Sequence, residues 1–422
     1  ALRAAEIARK SGYDIVKTYA AEPLSSILYH EKSAEYLLSR RYSEKERAFL
    51  DSLAEKKDVS DDTGGEFISP VDLPYGKKMS LSQSKITSFV GCPFGYSCKY
   101  LMKLFPDAKA EISSPDIGNF VHGIMEQYFS DPRAMKLGGA EKTSFINEII
   151  EDYIEKLREG SSFSDEKKGS GRMRYLFRRL KRHVSLFIDV MGRELLQSGF
   201  APKGFEIPIG GEGENSVRPM IIKTADGAEV TLRGRVDRID ILPGRDGKNY
   251  FRVIDYKTGS KRFSLDDVYR GTDVQLIVYL SSIWHNGLPG DGGEYLPAGA
   301  EYVNLRAATV SMDRAPAEGE ARAAAEAKTE QSGIFIDDEG VIYALEEGRR
   351  GTVPANKNGS FLGNGITFVS AAELGKICSD VNRVIGDIAY EMRRGKACAE
   401  PDRKSDPCKR CDYRLICRRE EK

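Results

Sequence analysis

The sequence predicts an α/β protein with a central mixed sheet flanked by helices. Between residues 204 and 259, short segments of alternating apolar and polar residues are separated by Gly, Asp and Asn, as in strands joined by turns. Segments with helical periodicity precede and follow this region. Helices therefore come first, then a run of strands, then a helix, a further strand and more helices, an order that favours one sheet covered by helices.

The composition is that of a folded protein large enough for two structural units. The chain has 422 residues, of which 40% are hydrophobic and 30% are charged. Lysine plus arginine equals aspartate plus glutamate at 64 each, so any binding of nucleic acid must come from local basic clusters. No apolar run approaches the ~20 residues that cross a membrane, and the first residues lack the apolar centre of a signal peptide. We expect a cytoplasmic protein without membrane contacts.

The first 80 residues differ in pattern from those that follow. Residues 1 to about 55 have helical periodicity, and residues 56–80 are rich in Gly, Pro, Asp and Ser, which predicts a linker. The chain starts at Ala1 without an initiator methionine, so we expect a fragment of something larger. A second unit is expected over residues 81–422.

The second unit begins with a short helix that Ser82 or Ser84 can cap. Residues 114–129 predict a helix with an apolar side, and a Gly- and Ser-rich loop at 160–171 separates it from a long helix at 172–196 with a basic first half. The remaining predicted elements are strands at 204–211, 218–225, 229–242 and 249–259, a helix at 272–287, a strand at 300–312 and a helix at 371–395.

Two neighbouring strands carry the side chains that are candidates for metal binding and catalysis. In RGRVDRIDIL, alternation places Asp237 on one face and Arg238 and Asp240 on the other. In FRVIDYKTG, Asp255 and Lys257 share a face. If the strands pair as a hairpin, Asp237 approaches Asp255 beside the Lys257 amine. Carboxylates at such close range repel unless a positive charge lies between them, and oxygen ligands of this kind suit Mg²⁺ or Mn²⁺.

An Asp-x-Lys pair by itself is weak evidence, because most such pairs on exposed strands are solvated. The alternative to a catalytic role is therefore an ordinary surface ion pair. Asp255, however, directly follows Val253 and Ile254 and so ends a strand that is predicted to be buried, where a carboxylate is costly without a partner. This context favours a metal site in which Lys257 orients a metal-bound water or removes its proton.

The seven cysteines indicate metal or redox chemistry rather than a disulfide framework. Cys408, Cys411 and Cys417 form a C-x2-C-x5-C motif, which supplies three soft ligands and needs a fourth. Thiolates alone do not distinguish a tetrahedral Zn²⁺ from a [4Fe–4S] cluster.

The motifs resemble those of RecB-family nucleases in the PD-(D/E)XK superfamily. GRVDRID, VIDYKTG and QLIVY are similar to three successive motifs of that family, and GNFVHGIMEQ is similar to its upstream histidine helix. LSQSKITSFVGCPFGYSCKYLMKL and CKRCDYRLICRR resemble the split cysteine motif of AddB-type subunits of AddAB helicase-nucleases. The resemblance covers about residues 81–420 and implies the restriction-endonuclease-like PD-(D/E)XK fold, with residues 1–80 as the helical tail of a helicase-like region.

The resemblance implies a metal-dependent DNA exonuclease. It assigns Asp237 and Asp255 to metal binding, with His122 and the Tyr256 carbonyl as further ligands, and Lys257 as the catalytic lysine.

Gln275 and Tyr279 occupy the Q-x3-Y positions of the same family, one helical turn apart on one face, where they contact the scissile strand or order the lysine. Ordinary helix packing is the alternative for both residues. Glu206 stands alone in its strand; it is a candidate for a further acidic member of the site, but as a solitary glutamate we expect it to be structural.

The resemblance also favours a [4Fe–4S] cluster with Cys92 as the fourth ligand. Cys98 and Cys398 are competitors for that position. Ligation from both ends of the nuclease unit closes a very long loop, which predicts a structural role.

The partners implied are DNA, especially single strands, and an AddA-like helicase-nuclease subunit, during the processing of double-strand breaks. Lys261 and Arg262 follow the catalytic lysine and predict phosphate contacts. Arg178, Arg179 and Arg182 lie in a basic stretch with interleaved aromatics, for which DNA binding and a solvated helix face are equally weighted.

Other functions remain open on the sequence. One alternative is an iron–sulfur DNA-binding scaffold with a degenerate site, and another is a stand-alone exonuclease of the CRISPR-adaptation type. The stretch contains no G-x4-G-K-[ST] phosphate loop, so we expect no ATP hydrolysis by this region alone.

Overall fold

The computed structural model confirms the predicted architecture of a mixed sheet flanked by helices. The predicted helical tail, most of the predicted linker and residues 161–170 of the predicted loop lie outside the described residues. The structure describes residues 75–105, 114–160, 171–244, 247–290, 292–304, 331–346 and 365–417.

The sheet has eight strands in the order β1-β4-β5-β6-β7-β8, and β2 and β3 also pair with β4. Parallel and antiparallel pairs alternate from β4 outward: β4–β5 is antiparallel, β5–β6 parallel, β6–β7 antiparallel and β7–β8 parallel. The strands are β1 Lys78–Ser82, β2 Ala201–Ile209, β3 Ile221–Lys223, β4 Glu229–Pro243, β5 Asn249–Lys257, β6 Tyr295–Asn304, β7 Gln331–Ile336 and β8 Ile366–Val369.

The strand β4 pairs with four other strands of the sheet. Its beginning pairs with β1 in parallel and with β3 in antiparallel orientation, and the rest lies between β2 and β5, both antiparallel. All four strands predicted between residues 204 and 259 are present as β2 to β5. β1 crosses the predicted unit boundary at residues 80 and 81, so the sheet begins at Lys78. β7 and β8 were not predicted.

Helices cover both faces of the sheet, and two hydrophobic cores result. Alternate residues of β5 divide between them: Val253 joins the core with α7 and α9, while Ile254 joins the core with α3, α4 and α5. Within the described residues, no helix combines the length and apolarity needed to span a membrane. The helices are α1 Gln83–Gly91, α2 Pro93–Tyr96, α3 Ser114–Ser130, α4 Gly139–Gly160, α5 Gly171–Gln197, α6 Leu265–Tyr269, α7 Gln275–Asn286, α8 Glu339–Glu346, α9 Ala371–Arg393 and α10 Arg414–Cys417.

A cluster of ions lies between α5 and the sheet, and its members are fully buried except for Glu194, which is partly buried. Arg252 Nε donates to Asp240 Oδ2 at 2.8 Å, and Arg238 Nε donates to Asp240 Oδ1 at 2.6 Å. Glu194 of α5 accepts from Arg252 at 2.5 Å and from Arg238 at 3.1 Å, and Glu301 of β6 accepts from Arg252 at 3.4 Å. We call this set the buried ion cluster. Each guanidinium has carboxylate partners, which is the condition for keeping charges in an apolar interior.

Replacing one cation of the buried ion cluster should destabilise the fold strongly. Arg252→Met leaves Glu194, Asp240 and Glu301 without this partner, and we expect the free energy of unfolding to fall by about 3–5 kcal/mol in urea denaturation. The matched control is Lys156→Ala, which removes the exposed pair with Asp152 and should change stability by less than about 1 kcal/mol. Equal effects of the two substitutions would contradict the assignment.

Candidate active site

The β4–β5 hairpin brings the two predicted carboxylates together. Arg238 lies opposite Ile254 in the register, so Asp237 and Asp255 face each other on the next rung. The two aspartates are 6% and 1% exposed. Asp237 Oδ2 accepts a hydrogen bond from the Tyr256 backbone N–H at 2.6 Å, which fixes its carboxylate beside the end of β5. The strand pairing predicted from the alternation is therefore present.

Asp255, Lys257 and Gln275 form a closed ring of contacts. The Lys257 ammonium pairs with Asp255 Oδ2 and donates to Gln275 Oε1 at 3.2 Å. Gln275, the first residue of α7, donates through Nε2 to Asp255 Oδ1 at 2.6 Å. Burial and the nearby Asp237 charge raise the pKa of Asp255 to about 7, while Lys257 acts in the opposite direction. A single ammonium therefore does not fully compensate the negative charge of this strand pair.

The Tyr279 hydroxyl connects α7 to β4. It accepts the Arg235 backbone N–H at 3.2 Å and lies 3.2 Å from Gln275 Nε2, which donates to it. A Cβ atom at Gly234 would lie 2.5 Å from the Tyr279 oxygen, so glycine leaves room for this approach. Burial raises the pKa of Tyr279 to about 12, so the hydroxyl is neutral near pH 7. The aromatic ring of Tyr279 also packs in the hydrophobic core, in agreement with the alternative of ordinary helix packing. Its hydroxyl holds Gln275 in place.

The predicted histidine lies at the same site, together with a glutamate. His122 on α3 places Nδ1 3.3 Å from Asp237 Oδ1 and 3.8 Å from Glu206 Oε1. One ligand atom of each of these residues lies within 4.8 Å of the other two. Burial lowers the pKa of His122, but the hydrogen bond and charge of Asp237 outweigh this effect and the pKa is raised overall.

Glu206, for which the sequence favours a structural role over membership of the acidic site, lies beside the candidate metal ligands. It lies in β2 with a φ of +49°, a left-handed conformation uncommon for a non-glycine residue, and its side chain joins His122 and Asp237. Burial and then Asp237 raise the pKa of Glu206 to about 7. A single glutamate in a strand carries no spacing signal, so only the unusual backbone and the three-dimensional contacts identify it.

The donor set fits a divalent cation such as Mg²⁺ or Mn²⁺. Carboxylate oxygens and an imidazole nitrogen converge, and burial followed by the Asp237 charge raises the pKa values of both Asp255 and Glu206, an excess of negative charge that a cation would offset. Asp237, Glu206 and His122 are placed to hold the ion, with Asp255 on the adjoining rung. The Tyr256 carbonyl stays a predicted ligand.

The predicted DNA contacts differ in their surroundings. Arg178, Arg179 and Arg182 are exposed on α5, and Arg262 is exposed in the loop after β5. Lys261 is half-buried, and its ammonium donates to Asp273 Oδ1 at 2.8 Å. The DNA-binding roles of all these residues stay predictions, and Lys261 is engaged within the protein.

The segment that leads to the C-terminal cysteine motif packs against the segment that contains Cys92. The Asp402 N–H donates to the Gly91 carbonyl at 2.8 Å, and the Phe94 N–H donates to the Cys398 carbonyl at 3.0 Å. Burial raises the pKa of Cys92, and the thiols of Cys417 and Cys411 raise it further.

The same motif is compact within itself, since the Cys411 N–H donates to the Cys408 carbonyl at 3.4 Å. The predicted cysteines from the two ends of the nuclease unit therefore gather in one region.

The two competitors for the fourth position are distinguished by their surroundings. Burial raises the pKa of Cys98 to about 11, and Cys411 and Cys417 add to the effect, so Cys98 is a neighbour of the motif. The pKa of Cys398 is raised by burial and by Glu400. Cys98 therefore remains a competitor of Cys92, whereas Cys398 contributes a backbone carbonyl to the packing.

Comparison with known proteins agrees with this arrangement. Residues 80–418 match the family model of the PD-(D/E)XK nuclease superfamily. The chain is 28% identical over 353 residues to a subunit of the ATP-dependent helicase/deoxyribonuclease of Symbiobacterium thermophilum, covering 82% of this chain and 30% of that protein. It is 31% identical over 356 residues to the corresponding subunit of Clostridium novyi, covering 81% and 30%. The chain spans about 30% of the length of these relatives. With its family match over residues 80–418, the chain belongs to the PD-(D/E)XK nuclease superfamily.

Proposed function

We propose that this chain is the metal-dependent deoxyribonuclease domain of an AddB-type helicase-nuclease subunit. The convergence of Asp237, Asp255 and Lys257 on one strand pair, with Gln275 closing the ring, carries the proposal. A degenerate scaffold would not need this set of mutually supporting contacts.

The residues divide the chemistry between them. When bound, a divalent cation would neutralise phosphate charge and lower the pKa of its bound water, so that hydroxide becomes available near neutral pH. Asp237, Glu206 and His122 would hold the cation, and Asp255 opposite Asp237 would add a further carboxylate ligand. Lys257 Nζ orients the attacking water and stabilises the charge that develops on the phosphate.

Lys257 must be held in place to do this. Gln275 Oε1 fixes its Nζ atom at 3.2 Å, and Tyr279 fixes Gln275 in turn. The neutral hydroxyl and the amide add no charge that would compete with the cation.

The relatives suggest the biological setting. They are named as subunits of ATP-dependent helicase/deoxyribonucleases, and we propose that this domain degrades single strands exonucleolytically during double-strand-break processing in the cytoplasm. An AddA-like subunit would deliver the strand.

We also propose a structural [4Fe–4S] cluster held by Cys92, Cys408, Cys411 and Cys417. The packing of the C-terminal motif against Gly91 to Gly95 supports it. Thiolates suit iron–sulfur chemistry, and ligation from both ends constrains a long stretch of chain.

Substitutions in the ring should remove DNA cleavage without unfolding the protein. Lys257→Ala should lower the Mg²⁺-dependent cleavage rate on end-labelled single strands by about 10²–10⁴-fold, and Asp255→Asn should abolish cleavage because it removes a cation ligand. Circular dichroism and melting temperature should remain near those of the parent, since Asn has the shape of the protonated aspartate.

The matched controls are Asp152→Asn and Lys156→Ala, which alter an exposed ion pair on α4. Both should cleave like the parent. Full Mg²⁺-dependent cleavage by Asp255→Asn or Lys257→Ala would refute the assigned roles.

Cation affinity should increase with pH. Burial and neighbouring carboxylates raise the pKa values of Asp255 and Glu206 to about 7 in the metal-free protein, so cation binding below that pH must displace protons. Because a ligating carboxylate must be deprotonated, we expect Mn²⁺ affinity to rise between about pH 6 and pH 8. Calorimetry in buffers of different ionisation enthalpy measures the released protons.

The variant Glu206→Gln should release fewer protons on Mn²⁺ binding than the parent. Affinity that does not vary with pH, without proton release, would count against Asp255 and Glu206 as ligands.

The cysteine assignment predicts which substitutions remove iron. The purified protein should contain iron and acid-labile sulfide, and Cys92→Ala or Cys417→Ala should lose most of both. Cys378→Ala, which changes a buried cysteine of α9, and Cys398→Ala should retain them. If Cys98→Ala loses iron and sulfide while Cys92→Ala retains them, the fourth ligand is Cys98 rather than Cys92. A protein that contains zinc and no iron would refute the cluster.

A further inference from the structure

An unpartnered buried amide lies at the end of β6. Asn304 is 3% exposed, and within the described part of the chain neither its Oδ1 nor its Nδ2 has a hydrogen-bond partner. Buried polar atoms in native proteins are nearly always hydrogen-bonded, because an unmet donor or acceptor costs free energy. An amide with both atoms unmet therefore points to a group that binds there.

The position of Asn304 is defined by the parallel pairing of β5 and β6. Asn304 is the register partner of Lys257, and Tyr302 is the partner of Asp255. Residues paired in this way, and residues two apart on one strand, direct their side chains to the same face. The contact of Lys257 Nζ with the Tyr302 ring, 5.3 Å from its centroid, confirms that these side chains share a face.

Neighbouring residues already use their polar groups within the protein. Tyr302 donates its hydroxyl proton to Asp273 at 2.6 Å, and Lys261 donates to the same carboxylate oxygen. Gln275 bridges Asp255 and Lys257. Asn304 differs from these residues because it is the register partner of Lys257 and its amide is not engaged by another described residue.

We infer that Asn304 is a DNA-contacting residue, whose Nδ2 donates to a phosphate oxygen of the strand that is being cut. The inference rests on the proposed nuclease function. A phosphate oxygen is an acceptor and satisfies the amide nitrogen. Lys257, the register partner of Asn304, pairs with Asp255 and donates to Gln275. Asn304 thus aligns the phosphate with the lysine through a neutral side chain.

The substitution Asn304→Leu separates a DNA contact from a structural role. Leucine has a similar size and no polar atoms, so removal of an unmet amide should leave the melting temperature of the full-length protein unchanged or higher. Binding of a fluorescent single-stranded oligonucleotide, measured by anisotropy in EDTA, should weaken about 3- to 10-fold, the worth of one hydrogen bond. In Mg²⁺, kcat/KM for its cleavage should fall by at least the same factor.

Two further variants serve as controls. Asn304→Ala cannot overpack the site and must show the same loss of oligonucleotide binding. Ser282→Ala removes another fully buried, unpartnered polar group, in the core-facing part of α7, and should leave binding and cleavage at parent values.

The outcomes are distinguishable from one another. If the parent binds and cleaves the oligonucleotide and Asn304→Leu does so within twofold, the inference is wrong while the nuclease function stands. If Asn304→Leu and Asn304→Ala melt at lower temperature and bind DNA like the parent, the amide is structural and the inference is again wrong. If the parent itself neither binds nor cleaves single strands, the proposed function fails first.

Discussion

The register of β4 against β5 is the constraint on which the rest of the structure depends. On one face it sets Asp237 opposite Asp255, and on the other face it sets Asp240 opposite Arg252 in the buried ion cluster. A shift by one residue would turn every side chain to the wrong face and separate buried charges from their partners, at a cost of several kcal/mol. The buried ion cluster therefore specifies the pairing that brings Asp237 and Asp255 together on the opposite face.

The two faces of this hairpin handle negative charge in different ways. The carboxylates of the buried ion cluster are paired with Arg238 and Arg252, whose guanidinium groups stay charged at any physiological pH. In the candidate active site Lys257 pairs with Asp255 and Arg235 pairs with Glu206, yet burial and the Asp237 charge raise the pKa of Asp255 to about 7. One face of the hairpin therefore holds its carboxylates against permanently charged partners, whereas the other keeps buried carboxylates whose charge the neighbouring cations do not fully offset.

Alternation along β4 and β5 was sufficient to predict the strands, the shared face of Asp255 and Lys257 and the approach of Asp237, because these features depend on a period of two residues and on a short connection. The buried ion cluster could not be predicted, since Glu194 comes from a helix and Glu301 from a strand far along the chain. The sequence raised Glu206 only as the less favoured alternative for a related reason: its place beside His122 depends on a positive φ and on contact with α3, and neither leaves a pattern in sequence. β7 and β8 are short and pair with distant strands, so their neighbours determine them.

The turn before α7 joins the two ends of the nuclease unit to the catalytic lysine. Arg270 donates to Asp402 in the segment that leads to the C-terminal cysteines, at 2.8 Å. Gly271 has a φ of +76°, and a Cβ atom there would lie 2.5 Å from a side chain of α9, so the turn packs closely against that helix. The Thr272 carbonyl accepts from α1 at 3.1 Å. Since Gln275 begins α7 directly after this turn, contacts with α1 and with the segment before the C-terminal cysteines position the residue whose amide binds Lys257.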